Sequence, residues 1–208
     1  MPDNHPETAA SPHGTPTQVG IGQVLDLGRK PTAELRRIVE FRRVVKTYNA
    51  GMSNEFTAIR DVNFFVEDLP GKGEFIAILG PSGCGKSTIL RLIAGLPPQH
   101  PPTEGEVLVL GEPVAGPGAD RGMVFQDYTS FDHRTVLENI TFGLECQGMP
   151  RRERSALGRQ WIEHVGLDVE ADAAKYPHEL SGGMRQRVAL ARTLILRPKI
   201  ILMDEPFG

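Results

Sequence analysis

The residues Gly80-Pro81-Ser82-Gly83-Cys84-Gly85-Lys86-Ser87 constrain this chain more than any other stretch. They fit the spacing G-x-x-x-x-G-K-[ST], in which glycines let successive backbone N–H groups converge on one anion. The short apolar run Phe75–Leu79 just before it follows the turn residues Pro70-Gly71-Lys72-Gly73 and reads as a strand buried on both faces. The stretch Lys86–Ala94 just after it has helical spacing and stops at Gly95, with prolines beyond. Strand, glycine-rich turn and helix N-terminus in that order make a phosphate cradle, whereas a plain Gly-rich turn explains neither flank. Lys86 is placed to reach the β- and γ-phosphates of a nucleotide, and the Ser87 hydroxyl to ligate Mg2+.

Strands are expected at Arg37–Val45, at Phe56–Val66 with Asn63 breaking the pattern, at Val107–Leu110 and at Gly122–Phe125. Thr135–Leu144, Arg151–Val165 and Arg185–Leu196 read as helices, the last ended by Arg197-Pro198. The apolar run Ile200–Met203 comes last. Short buried strands alternating with helices predict an α/β fold. Residues 1–36 carry Pro at positions 2, 6, 12, 16 and 31 and little apolar periodicity. They read as a disordered N-terminal tail with weak local structure near Val24–Leu27, ahead of one ordered unit over residues 37–208.

Composition narrows the class. Two cysteines, Cys84 and Cys146, exclude a disulfide framework and fit a reducing compartment. A net charge of −3 argues against a dedicated nucleic-acid binder. The longest apolar runs fall far short of the ~20 residues that a bilayer requires. The N-terminus lacks the basic flank and apolar core of a secretory signal, so the expected compartment is the cytosol.

Two further segments carry chemistry. Ile200-Ile201-Leu202-Met203 ends in Asp204-Glu205, where Asp204 is placed to hold the metal through water and Glu205 to polarise an attacking water. A strand ending in acids is common by itself; with the phosphate loop upstream it becomes specific. Leu180-Ser181-Gly182-Gly183-Met184-Arg185-Gln186-Arg187 puts Ser, Gly and Gly before a helix, which makes either a lysine-free anion site or a plain cap with Ser181 at the N-cap.

LSGGMRQR ahead of IILMDEP resembles the signature of ABC ATPases, in that family's order. The resemblance spans about residues 37–208. It implies a P-loop NTPase of the ABC ATPase type, α/β, with an N-terminal antiparallel β region and a helical insert around residues 127–190. Gln126 resembles the family's Q-loop residue, a metal ligand and catalytic group beside Lys86 and Glu205. Tyr48 resembles the aromatic that stacks on adenine; a lone Tyr after a strand would otherwise be packing. The family pairs two such domains head to tail. Each MgATP is then held by Gly80, Pro81, Ser82, Gly83, Cys84, Gly85, Lys86, Ser87 and Thr88 of one copy and Ser181, Gly182 and Gly183 of the other, with Ser87, Gln126 and Asp204 at the metal.

Asp120–Gln126 and Tyr128–Phe131 resemble the nitrate, sulfonate and taurine importer branch. There a second ATPase subunit, transmembrane permease subunits and, indirectly, a solute-binding protein are the implied partners, and nucleic acid is not one. The implied location is peripheral, on the cytoplasmic face of the plasma membrane. Asp132-His133-Arg134 departs from that branch, which commonly has a Pro-Trp-Leu-like stretch here.

The sequence stops at Gly208, whereas the family continues into an interface Asp, a helix, a strand and a switch His. The resemblance therefore predicts a fold lacking its C-terminal strands. Phe75–Leu79 and Ile200–Met203 should lie side by side with a gap between them, and the chain alone should be poorly folded and inactive. His178 reads as a surface residue rather than the switch His, and Cys84 as a tolerated loop residue without a redox role. Arg151-Arg152-Glu153-Arg154 reads as a solvated helix face, with headgroup contact as the lesser alternative. The rival functions are a truncated, non-catalytic nucleotide-binding chain and a soluble ABC ATPase not linked to transport. A phosphotransferase is a third, but LSGGMRQR has no task in one.

Overall fold

Strand β1 (Arg37–Tyr48) is the centre of the first sheet, pairing antiparallel with β2 (Phe56–Glu67) on one edge and with β3 (Glu104–Val109) on the other. The short β4 (Glu112–Pro113) completes the order β2-β1-β3-β4. These strands belong to a computed structural model that describes residues 35–69, 71–125 and 130–204. The β1–β2 register shifts between Phe41 and Val44, where Arg43 and, opposite, Asp61 take φ of 48° and 49°. Asn63 fastens this bulge: its Oδ1 accepts from the Arg43 N–H at 2.8 Å and its Nδ2 donates to the Asp61 carbonyl at 2.9 Å. The residue that breaks the alternation in the sequence is thus the one that lets both Phe41 and Val44 face inward.

Helix α1 (Lys86–Ala94) touches β3 of this sheet and both strands of the second, the parallel pair β5 (Arg121–Val124) and β6 (Ile200–Met203). Ile89, Leu92 and Ile93 of α1 are buried in one cluster with Val39, Phe41 and Val44 of β1 and Leu202 of β6. Burying each such aliphatic side chain contributes about 1.5–3 kcal/mol. That shared core sets the end of β6 against the start of α1.

A second core lies among the helices α2 (Val136–Cys146), α3 (Arg151–His164) and α5 (Gly182–Leu194), with the short α4 (Val169–Asp172) and a 3-10 turn (Pro177–Glu179) between the last two. Thr135 and Glu138 form a reciprocal capping box at the start of α2. Gly158 lets α3 approach α2, since a Cβ there would stand 2.4 Å from Thr141 Cγ2. The fully buried Asn139 bonds the Phe131 N–H and the carbonyls of Phe131, Arg134 and Thr135, fixing the segment ahead of α2.

The largest departure from expectation is Phe75–Leu79, which is not a strand. It makes no ladder with β5 or β6, and Phe75 and Leu79 are 85% and 87% exposed, while Ile78 alone packs on the core. An apolar run becomes a buried strand only with a paired neighbour on at least one edge, and among the described residues none is present. The signature helix also begins three residues earlier than its apolar spacing indicates, at Gly182, because the Ser181 hydroxyl accepts from the Met184 N–H and caps it. Residues 1–34, including Val24–Leu27, lie outside the described residues; the Arg36 carbonyl already accepts from the Asp68 N–H at 2.8 Å. Among the described residues no helix is long and apolar enough to cross a membrane.

Candidate nucleotide site

The glycine-rich loop enters α1 through Gly85, at φ 98°, where a Cβ would stand 2.5 Å from Ile59 Cγ2. Only glycine satisfies both the left-handed backbone and that approach to β2. No side chain caps α1 and its first turn carries no acid, so the helix's free N–H groups and positive end are left to an external anion. Pro81, Ser82 and Gly83 are exposed; Cys84 is half-buried and donates its N–H to the Pro81 carbonyl. Lys86 folds back over the loop, its ammonium donating to the carbonyls of Gly80 and Pro81 at 3.0 Å each. These are neutral acceptors, weaker partners for an ammonium than a phosphate oxygen.

Ser87, next on α1, donates its hydroxyl to Asp204 Oδ1 at 2.7 Å. Asp204 directly follows β6, is 4% exposed, and is held by its own N–H donated to the Val124 carbonyl on β5. The parallel pair therefore delivers the carboxylate to the helix start. Hydroxyl and carboxylate oxygens are hard donors, and a two-oxygen protein contribution suits Mg2+, which keeps waters and takes its remaining ligands from phosphates. No group of three or more His, Cys, Asp or Glu converges among the described residues, so a metal held by protein side chains alone has no counterpart there.

Tyr48 ends β1 with its hydroxyl 3.4 Å from Thr88 Oγ1, so the predicted adenine-stacking residue stands beside the loop helix. Beneath its ring, 5.5 Å from the centroid, lies the ammonium of Lys46, which donates to the Pro101 carbonyl at 2.9 Å. Lys46 is 8% exposed, and burial pushes its ammonium below the usual lysine range. Sequence reading missed Lys46 and also Arg91, whose Nη2 lies 3.6 Å from Asp204 Oδ2. Both were within reach of pattern: Lys46 is two residues before Tyr48 on a strand, and Arg91 is four residues after Ser87 on a helix, in each case the same face.

Ser181, Gly182 and Gly183 are exposed at the start of α5, and among the described residues no hydrogen bond joins them to Gly80–Thr88. Their geometry is that of a helix cap with open N–H groups on the surface. Gln126 and Glu205 lie outside the described residues, which stop at Phe125 and Asp204 on the C-terminal edge of the parallel pair. His178 is exposed and stacked on Tyr176. Asp132 and His133 are exposed too, but Arg134 is structural: it bonds Glu145 at 3.0 Å and its guanidinium lies 4.8 Å from the Phe142 ring centroid. The hydrogen bond from Arg134 is also the main reason the Glu145 carboxyl sits below its usual range.

Fold and loop together are those of P-loop ATPase cassettes. The dimeric structure of the ATP-binding cassette MJ0796 bound to ADP and Pi superposes with a TM-score of 0.68 at 35% identity, covering 81% of this chain and 74% of that one. A second dimeric structure of MJ0796 gives 0.70 at 35% identity, over 82% and 75%. Residues 61–208 match the ABC transporter family model, and the chain belongs to that family. It is 54% identical over 155 residues to the uncharacterized ABC transporter ATP-binding protein MJ0412 of Methanocaldococcus jannaschii, covering 74% of this chain and 55% of that protein. Identity is 49% over 158 residues to the nitrate import ATP-binding protein NrtD of Synechocystis, over 76% and 56%. With the bicarbonate transport ATP-binding protein CmpC of Synechococcus elongatus it is 44% over 172 residues, 82% of this chain and 25% of that protein. The chain thus spans a little over half the length of the first two relatives and a quarter of the third.

Proposed function

We propose that the chain is the ATP-binding and ATP-hydrolysing cassette of an ABC importer for a small anion such as nitrate, a sulfonate or taurine. The observation that carries this reading is the 2.7 Å hydrogen bond from Ser87 to Asp204, which joins the phosphate loop to the acidic end of β6 across 117 positions of sequence. In this reading the backbone of Gly80–Gly85 and the freed ammonium of Lys86 bind the phosphates, and Tyr48 stacks on the adenine. Ser87, Asp204 and Gln126 hold Mg2+, which when bound neutralises charge on the β- and γ-phosphates. Glu205 orients and deprotonates the attacking water. Ser181–Gly183 of a second subunit close over the γ-phosphate with their open N–H groups, giving a head-to-tail dimer.

Movement of that dimer is passed to permease subunits at the cytoplasmic face of the membrane, which receive solute from a binding protein. Relatives named for nitrate and bicarbonate support a small anion as cargo. The test is reconstitution with the permease subunits in proteoliposomes, following phosphate release and anion uptake together. ATP-dependent uptake of a small oxyanion supports the reading; hydrolysis with no uptake of any such anion overturns the importer assignment.

A further inference from the structure

We propose that Arg91 is a positioning residue for the metal-holding carboxylate: it pins Oδ2 of Asp204 so that Oδ1 stays aimed at Ser87 and the metal position. This rests on the MgATP reading above. Asp204 is buried, its side chain 5% exposed, and a buried carboxylate is costly unless both oxygens find partners. One oxygen is taken by the Ser87 hydroxyl at 2.7 Å, and the other faces Arg91 Nη2 at 3.6 Å. Ser87 and Arg91 stand one helical turn apart on α1, so a single rigid element presents a neutral donor to one oxygen and a cation to the other.

Among the described residues the guanidinium makes no other hydrogen bond or ion pair. Its Nε is buried without a hydrogen-bond partner, while the side chain as a whole is 38% exposed. Among the described residues the guanidinium leaves Nε unpaired and directs Nη2 at the carboxylate. The contact is a single ion pair through Nη2, longer than a hydrogen bond, so the guanidinium acts on Oδ2 by its charge.

Two effects of removing Arg91 oppose one another. Losing the cation strengthens the bare attraction between Asp204 and Mg2+; losing the ion pair at Oδ2 frees the carboxylate to rotate out of line. Outer-shell partners of metal ligands are typically worth 10–100-fold in affinity, so the positioning loss should dominate, by about tenfold. The experiment titrates Mg2+ into the protein with a fluorescent ATP analogue, after measuring analogue binding in EDTA. Arg91→Gln should leave binding in EDTA within about twofold of the parent and raise the half-saturating Mg2+ about tenfold. Arg91→Lys should recover part of that loss.

Unchanged or tighter Mg2+ dependence in Arg91→Gln would overturn the proposal. So would an equal loss of binding with and without Mg2+, the mark of a merely structural arginine. If Arg91→Gln fails to fold, Arg91→Lys decides: a weakened Mg2+ response supports the role and a parental one overturns it. Asp204→Asn tests the underlying reading separately. If it leaves the Mg2+ response at the parental level, the MgATP assignment itself fails, whatever Arg91 does.

Discussion

The hydroxyl of Tyr48 lies 3.4 Å from that of Thr88, tying the last residue of β1 to the first turn of α1. The ring is held from below by the buried Lys46 ammonium, so its position relative to the phosphate loop is set before any nucleotide arrives. Base–aromatic stacking is worth about 1–3 kcal/mol. Tyr48→Ala should therefore weaken ATP binding about tenfold, while Tyr48→Trp stays near the parent. Equal affinities for all three in a calorimetric titration would remove Tyr48 from the site.

Lys86 is the loop's one side-chain cation, and its present acceptors are two carbonyls. Hydrogen bonds to charged groups contribute about 1.5–3 kcal/mol, so in a chain extended by the family's C-terminal part Lys86→Ala should weaken MgATP binding by at least about tenfold. In the same extended chain, Glu205→Gln keeps the shape and removes the carboxylate proposed as the base, so nucleotide should still bind while turnover falls by about 10²–10⁴. Turnover within a few-fold of the parent would show that Glu205 is not the base.

Ser181→Arg places bulk and charge on an exposed helix start that has no partner within the described chain. In a chain extended by the family's C-terminal part it should abolish turnover, while losing the Ser181 cap on the Met184 N–H lowers the melting temperature only by a few degrees. Mixed with a Lys86→Ala protein it should regain activity, because one of the two composite sites in a head-to-tail dimer is then intact. A wholly inactive mixture argues against that arrangement.

Phe75 and Leu79 expose apolar surface beside the loop, at 85% and 87%. Such surface on an unpaired segment is an association hazard. The 208-residue protein should bind a hydrophobic dye and elute larger at higher concentration. Replacing both residues by Ser should reduce both effects; a concentration-independent monomer with no dye binding would contradict the exposure.

Where an element depends on neighbours in sequence, it was legible. Helix α1 runs from Lys86 to Ala94 as its apolar spacing and Gly95 indicate, and the β1 and β2 runs stood out by composition. Where an element depends on a partner far along the chain, it was not. The apolar run Phe75–Leu79 looks like a buried strand, but apolarity does not supply the ladder partner a strand requires. Asn63 looked like a flaw, and only the pairing of β1 with β2 makes it the clamp of a bulge.

The site divides the same way. The phosphate loop follows from eight consecutive residues, because the glycine backbone and helix start that form it are local. The acids after Ile200–Met203 were candidates by type and order alone. Only the tertiary structure brings Asp204 to Ser87 and Arg91, Tyr48 to Thr88, and Lys46 beneath the Tyr48 ring. Those meetings rest on Leu202, Ile89, Leu92 and Val44 packing into one core. Side-chain spacing along a chain carries the character of each piece, but the depth at which pieces bury against one another selects which polar atoms end within bonding distance.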